Sequence, residues 1–114
     1  MIFIFGGKYQ GKKDFAIREL GIAEASILGP EKIRDLILDA LEAGEDPERL
    51  LPDLVKEAAV GNLTVIMDDV SQGLVPIDEK ERKFREANGR FMIRFAEEAE
   101  AVYRVFCGLG RRIK

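Results

Sequence analysis

The apolar run Met1-Ile2-Phe3-Ile4-Phe5 leads straight into Gly6-Gly7-Lys8-Tyr9-Gln10-Gly11-Lys12-Lys13, and this junction constrains the fold more than any other stretch. An uninterrupted apolar run closed by glycines reads as a strand buried on both faces, as in parallel sheets. Parallel neighbours need long crossover connections, usually helices. Lys12 to Leu20 reads as such a helix, ended by Gly21. A glycine-rich turn between strand and helix gathers free backbone N–H groups where an anion can be held.

The turn fits the phosphate-loop pattern G-x-x-x-x-G-K with one departure. The next position normally supplies a Ser or Thr hydroxyl to Mg²⁺, and here it is Lys13. Gly6, Gly7, Lys8, Tyr9, Gln10, Gly11, Lys12 and Lys13 are therefore the candidate phosphate- or nucleotide-binding residues, with ATP or GTP the implied ligand. Lys12 is a candidate catalytic cation. Mg²⁺ lacks its usual hydroxyl. The plainer alternative is a βα turn that uses its glycines only for geometry.

Composition narrows the classes. A chain of 114 residues is expected to form one domain, 1–114. Its 46% apolar and 34% charged residues are those of a soluble globular protein. A net charge of −3 argues against nucleic acid or an anionic membrane as the main partner. No apolar run approaches a membrane span. The apolar start lacks the basic region and cleavage site of a signal peptide. The single cysteine, Cys107, excludes an internal disulfide and fits a reducing cytoplasm. The chain has no histidine, which excludes His-dependent catalysis and imidazole-ligated zinc.

Further along, β and α signals alternate. Ala23 to Leu28 is a weak strand candidate closed by Gly29-Pro30, and Glu31 to Leu41 has helical apolar spacing. Gly44 to Pro47 is a break with Asp46 as N-cap and Pro47 at the first helical position. Pro52 opens the main part of the next helix. Leu63-Thr64-Val65-Ile66-Met67 is a second buried strand, a long helix runs from about Asp78 to Glu100, Ala101 to Cys107 is the last strand, and Gly108 to Lys114 is a solvated tail. Strands separated by helices imply right-handed βαβ units. The expected fold is α/β: a P-loop NTPase-like three-layer sandwich with a small, mainly parallel sheet of about four strands.

The second strand ends in Asp68-Asp69. A strand of this kind delivers an aspartate towards Mg²⁺ in P-loop enzymes, which makes Asp68 a candidate metal ligand and both acids candidate catalytic residues. The other reading is that they pair with Lys12 or Lys13. Arg85 and Arg90 on the long helix are candidate phosphate clamps. Gly89, costly in a helix interior, suggests close approach of a neighbour or ligand.

Taken in order, these pieces resemble the bifunctional adenosylcobinamide kinase/adenosylcobinamide-phosphate guanylyltransferase family of cobalamin biosynthesis. That family opens with a strand and G-G-x-x-S-G-K-S, matched here by Gly6-Gly7 and Gly11-Lys12. Its later N-E-V-G-x-G-I-V-P is matched by Asp68-Asp69-Val70-Ser71-Gln72-Gly73-Leu74-Val75-Pro76. Its F-R-D-x-x-G-x-x-N-Q is matched by Phe84-Arg85-Glu86 and Gly89, with Met92-Ile93 in place of N-Q.

The resemblance implies nucleotide chemistry on a cobinamide substrate and a homotrimer. The family histidine that takes GMP covalently is absent, so guanylyl transfer by that route is not expected. Gly29-Pro30 stands where the family's Walker B aspartate would follow the strand. The sequence is thus read as a shortened relative that binds nucleotide or phosphate with weak or no catalysis. Alternatives are an active kinase recruiting Asp68 or Asp69, and a non-catalytic assembly or regulatory protein.

Overall fold

The computed structural model describes residues 1–70 and 78–114. The Gly73-Leu74-Val75-Pro76 connection, and with it the Ser71 to Pro76 part of the Asp68–Pro76 motif, lies outside the described residues.

The apolar runs become the centre of the sheet. β1 is Ile2–Gly6 and β3 is Thr64–Asp68, paired in parallel from Ile2–Thr64 to Gly6–Asp68. β2 (Ile27–Leu28) flanks β3, and β4 (Ala101–Phe106) flanks β1, both in parallel. β5 (Leu109–Arg112) pairs antiparallel with β4. The order is β2-β3-β1-β4-β5. Two expectations are corrected here. The sheet has five strands, and the supposed tail contains the fifth. The weak candidate at Ala23–Leu28 contributes only Ile27–Leu28, since Glu24–Ser26 forms a 3₁₀ turn.

Strand alternation sends side chains to two cores. Phe3, Val65, Met67 and Val102 face one side, where they meet α2 (Pro30–Glu42), α3 (Leu51–Val60) and α4 (Glu79–Glu98). Phe3 stacks on Phe95 of α4 with ring centroids 6.0 Å apart. Ile4, Ile66 and Val105 face the other side and are covered by Phe15 and Ala16 of α1 (Lys12–Arg18). Helices therefore cover both faces. At about 25 cal/mol per Å² of apolar area, a fully buried Phe such as Phe3, Phe91 or Phe95 contributes about 2–3 kcal/mol.

The cap expected at Asp46 is present. The Asp46 carboxylate accepts from the Glu48 N–H at 3.0 Å, although Pro47 opens a 3₁₀ turn (Pro47–Leu50) before α3. Asp78 caps α4 by accepting from the Lys80 N–H at 2.9 Å. At the other end of α4, the Lys114 ammonium donates to the carbonyls of Ala96 and Glu97 at 3.1 and 2.8 Å, so this residue closes a helix and does not trail in solvent. No described helix is long and apolar enough to cross a membrane.

Candidate functional site

Parallel β1 and β3 end at the same level, so Gly6 and Asp68 lie side by side. The Asp69 N–H extends the ladder by donating to the Gly6 carbonyl at 2.8 Å. A Cβ on Gly6 would lie 2.3 Å from the Val105 carbonyl, so only glycine fits where the loop leaves the sheet. Gly11 takes φ +84° to turn the chain into α1, a conformation that glycine adopts without steric cost.

Lys12 is 6% exposed, and its stem packs under the loop. Its ammonium donates to the Gly7 carbonyl at 2.6 Å and meets the Asp68 carboxylate at 2.9 Å. In the structure Asp68 is thus paired with Lys12. Lys13 turns outward and binds Glu24 at 2.5 Å. Hydrogen bonding and charge attraction from Glu24 raise the Lys13 pKa, and Lys13 lowers that of Glu24 for the same reasons. Both groups are exposed, so this pairing adds little to stability.

On the flank towards β4 and β5 the loop is closed. Gln10 accepts from the Gly108 N–H through its main-chain carbonyl and from the Cys107 N–H through its side-chain oxygen, both at 2.7 Å. These bonds hold a hairpin turn in which Cys107 and Gly108 both have positive φ, +52° and +75°. On the flank towards β2 and α2 an open cleft of about 600 Å³ remains. Lys8, Lys12, Lys13 and Arg34 line it, balanced by Asp14, Glu24, Glu31 and Asp68 around a floor of Ile27, Pro30 and Ile66. Tyr9 stands at the rim, 98% exposed and held at φ +60°. The volume is that of a small-molecule site.

The predicted residues are thus only partly brought together. Lys8, Tyr9, Gly11, Lys12, Lys13 and Asp68 line the cleft; Gly6 and Gly7 shape the loop, and Gln10 fastens it from the opposite flank. Asp69 has interactions of its own and does not line the cleft. Arg90 pairs with Glu48 at 3.0 Å, and Arg85 lies 3.9 Å from Glu81 one turn away; neither lines the cleft. Among the described residues nothing stands within 4 Å of a Cβ built on Gly89, so no described neighbour accounts for the glycine.

Sequence reasoning passed over Glu24, Arg34 and Asn88. Asn88 is 5% exposed, and its amide donates to the Asp68 carbonyl at 3.0 Å, anchoring the strand end from α4. A polar residue inside the apolar stripe of Phe84, Ala87, Phe91 and Phe95 was the available signal.

The model of the cobinamide kinase/cobinamide phosphate guanyltransferase family matches residues 36–113. The chain belongs to that family. The matched region begins inside α2 and includes Asp68, Asn88 and the β4–β5 hairpin, whereas the phosphate loop lies before it. The family assignment therefore rests on the later part of the chain, and the loop is an independent feature. A search of curated proteins gave no match to this cobinamide kinase/guanyltransferase family member.

Proposed function

We propose that this family member is a P-loop NTPase-like protein that binds a nucleotide or another phosphate compound in the Lys12 cleft, with weak or no phosphoryl transfer. The observation that carries the reading is Lys12 itself. A buried ammonium reaches the carboxyl end of β3 beneath a glycine loop, at the mouth of a cleft of ligand size. Open α/β sheets bind ligands at this edge, and the family is one of nucleotide-dependent enzymes by its description.

The family chemistry implies Mg²⁺, and the residues present do not make its usual site. Position 13 offers an ammonium in place of a hydroxyl, and Asp68 is already neutralised by Lys12. Mg²⁺ demands near-ideal octahedral oxygen coordination, which a lysine point charge does not supply. The chain's own contribution is to hold phosphate oxygens with Lys12 and the loop N–H groups while Lys8 and Lys13 offset charge.

The reading is tested by calorimetric titration of ATP and GTP, each with and without Mg²⁺, on wild type and Lys12→Ala. Binding that is insensitive to Mg²⁺ and lost in the variant is expected. Binding strictly dependent on Mg²⁺, with ATP or GTP consumed in the presence of cobinamide and that activity lost in Asp68→Asn, points instead to an active kinase recruiting Asp68. No binding of either nucleotide overturns both.

A further inference from the structure

The Lys12 cleft has two regions of opposite charge. One is the loop region, where the buried Lys12 ammonium and the loop N–H groups are joined by Lys8. Among the described residues no carboxylate stands within ion-pair distance of Lys8, and residues 71–77 contain none.

Around Lys13 the character reverses. Asp14, Glu24 and Glu31 all line the cleft there. Glu24 above all, and Glu31 and Asp14 more weakly, attract the Lys13 ammonium and raise its pKa. The starts of the 3₁₀ turn Glu24–Ser26 and of α2 would ordinarily favour an anion, and each already holds an acid of the chain, Glu24 and Glu31. The Glu31 carboxylate folds back over its own helix start, 3.3 Å from a Cβ built on Gly29.

One ammonium does not satisfy three carboxylates. Lys13 is bound to Glu24, and Arg34 leans on its neighbour Asp35 at 3.9 Å. Among the described residues neither Asp14 nor Glu31 has a cation within ion-pair distance, and residues 71–77 contain no lysine or arginine. Over the whole cleft the four cations and four carboxylates in the lining cancel. A free triphosphate entering it gains no net attraction, and its far charges face Asp14 and Glu31. A phosphate monoester carries about two negative charges at pH 7, which the loop region can hold alone.

We propose that the cleft takes a phosphate monoester carrying its own cationic group, a ligand of small net charge, in preference to a free nucleoside triphosphate. The phosphate lies against the loop, Lys12 and Lys8, and the cation lies between Asp14 and Glu31. The inference rests on the phosphate site proposed above and names the class of ligand for it.

The test is a titration of the full chain, followed by NMR on the loop amides, with O-phosphoethanolamine, ethyl phosphate and tripolyphosphate, all without Mg²⁺. The first two differ only in the ammonium group. O-phosphoethanolamine is expected to bind about two- to fivefold tighter than ethyl phosphate, the range for exposed ion pairs, and tighter than tripolyphosphate. In Asp14→Asn/Glu31→Gln the advantage over ethyl phosphate is expected to disappear while ethyl phosphate still binds. Both positions are exposed, and amides far from the cleft report whether the variant is folded. Equal binding of the matched pair by wild type overturns the inference and leaves the phosphate site standing. So does an advantage that survives both substitutions, or tighter binding of tripolyphosphate. No response of the loop amides to any of the three overturns the phosphate site and this inference with it.

Discussion

The Lys12 ammonium sits 2.9 Å from the Asp68 carboxylate, tying the start of the first helix to the end of the strand beside β1. A phosphate entering the cleft must compete with this carboxylate. Asp68→Asn removes the competitor's charge, so binding of tripolyphosphate without Mg²⁺ is expected to tighten several-fold. It also leaves a buried ammonium without its counter-charge. Because Asp68 is 20% exposed, the expected loss of stability is about 2 kcal/mol, below that of a fully buried pair. Calorimetry and urea denaturation measure the two effects; weaker binding would mean that Asp68 assists the ligand.

The Lys13–Glu24 pair gives a pH signature with a defined sign. The Glu24 pKa lies below its ordinary 4.5, so its contribution is present above that value and fades as pH falls through the lowered one. Lys13 lies above its ordinary 10.5, so its contribution is intact below that value and is lost as pH rises through the raised one. The small Tm difference between wild type and Glu24→Gln is expected to be flat from about pH 5 to 10, to vanish in acid and to shrink in high salt. A difference that grew below pH 4 would contradict the pairing.

Gly110 makes α1 and β5 fit together. A Cβ there would fall 2.1 Å from the Phe15 ring, which is itself nearly buried against the sheet. Gly110→Ala is expected to cost about 1–3 kcal/mol through overpacking. Phe15→Leu in the same chain should recover part of that loss, as chemical denaturation of the single and double variants would show.

Gln10→Ala removes the side-chain bond to the Cys107 N–H and retains the main-chain bond to Gly108. The expected cost is about 1 kcal/mol, with faster hydrogen exchange at the Cys107 amide. Unchanged exchange would show that the turn holds itself without the loop.

Gly89→Ala is expected to stabilise. The glycine lies inside α4 with no described atom where its methyl would go. The gain should be about 0.5–1 kcal/mol, the helix-propensity difference. Destabilisation would restore the idea of a close neighbour at this position.

Legibility followed burial. β1 and β3 were visible as apolar runs because both of their faces are covered, and α2 to α4 were visible through spacing and caps. β5 was not, since Leu109-Gly110-Arg111-Arg112 has neither strand propensity nor an apolar alternation. Its strand character comes from pairing with β4 across a turn at Cys107-Gly108, which lacks the usual Asn-Gly signal. At the site, Lys12 and Asp68 could be placed at one sheet edge from sequence. That Lys12 would choose Asp68 and Lys13 would choose Glu24 depends on how α1 and the 3₁₀ turn are set against β3, which no local pattern encodes. Arg90 shows the converse: its spacing in α4 was right, but that helix turns it towards Glu48.

β1 is synthesised before the other strands of its sheet, yet both of its neighbours, Thr64–Asp68 and Ala101–Phe106, lie more than fifty residues further along. The loop that follows β1 is fastened by residues 107 and 108. At ribosomal speeds of about 5–20 residues per second, roughly 5–20 seconds separate the emergence of the two partners. Through that interval the Gly6 to Lys12 segment lacks its hairpin, and until Asp68 is made it lacks its carboxylate as well. In a nascent chain the loop after β1 therefore gains its full set of anchors only once residues 107 and 108 have been made.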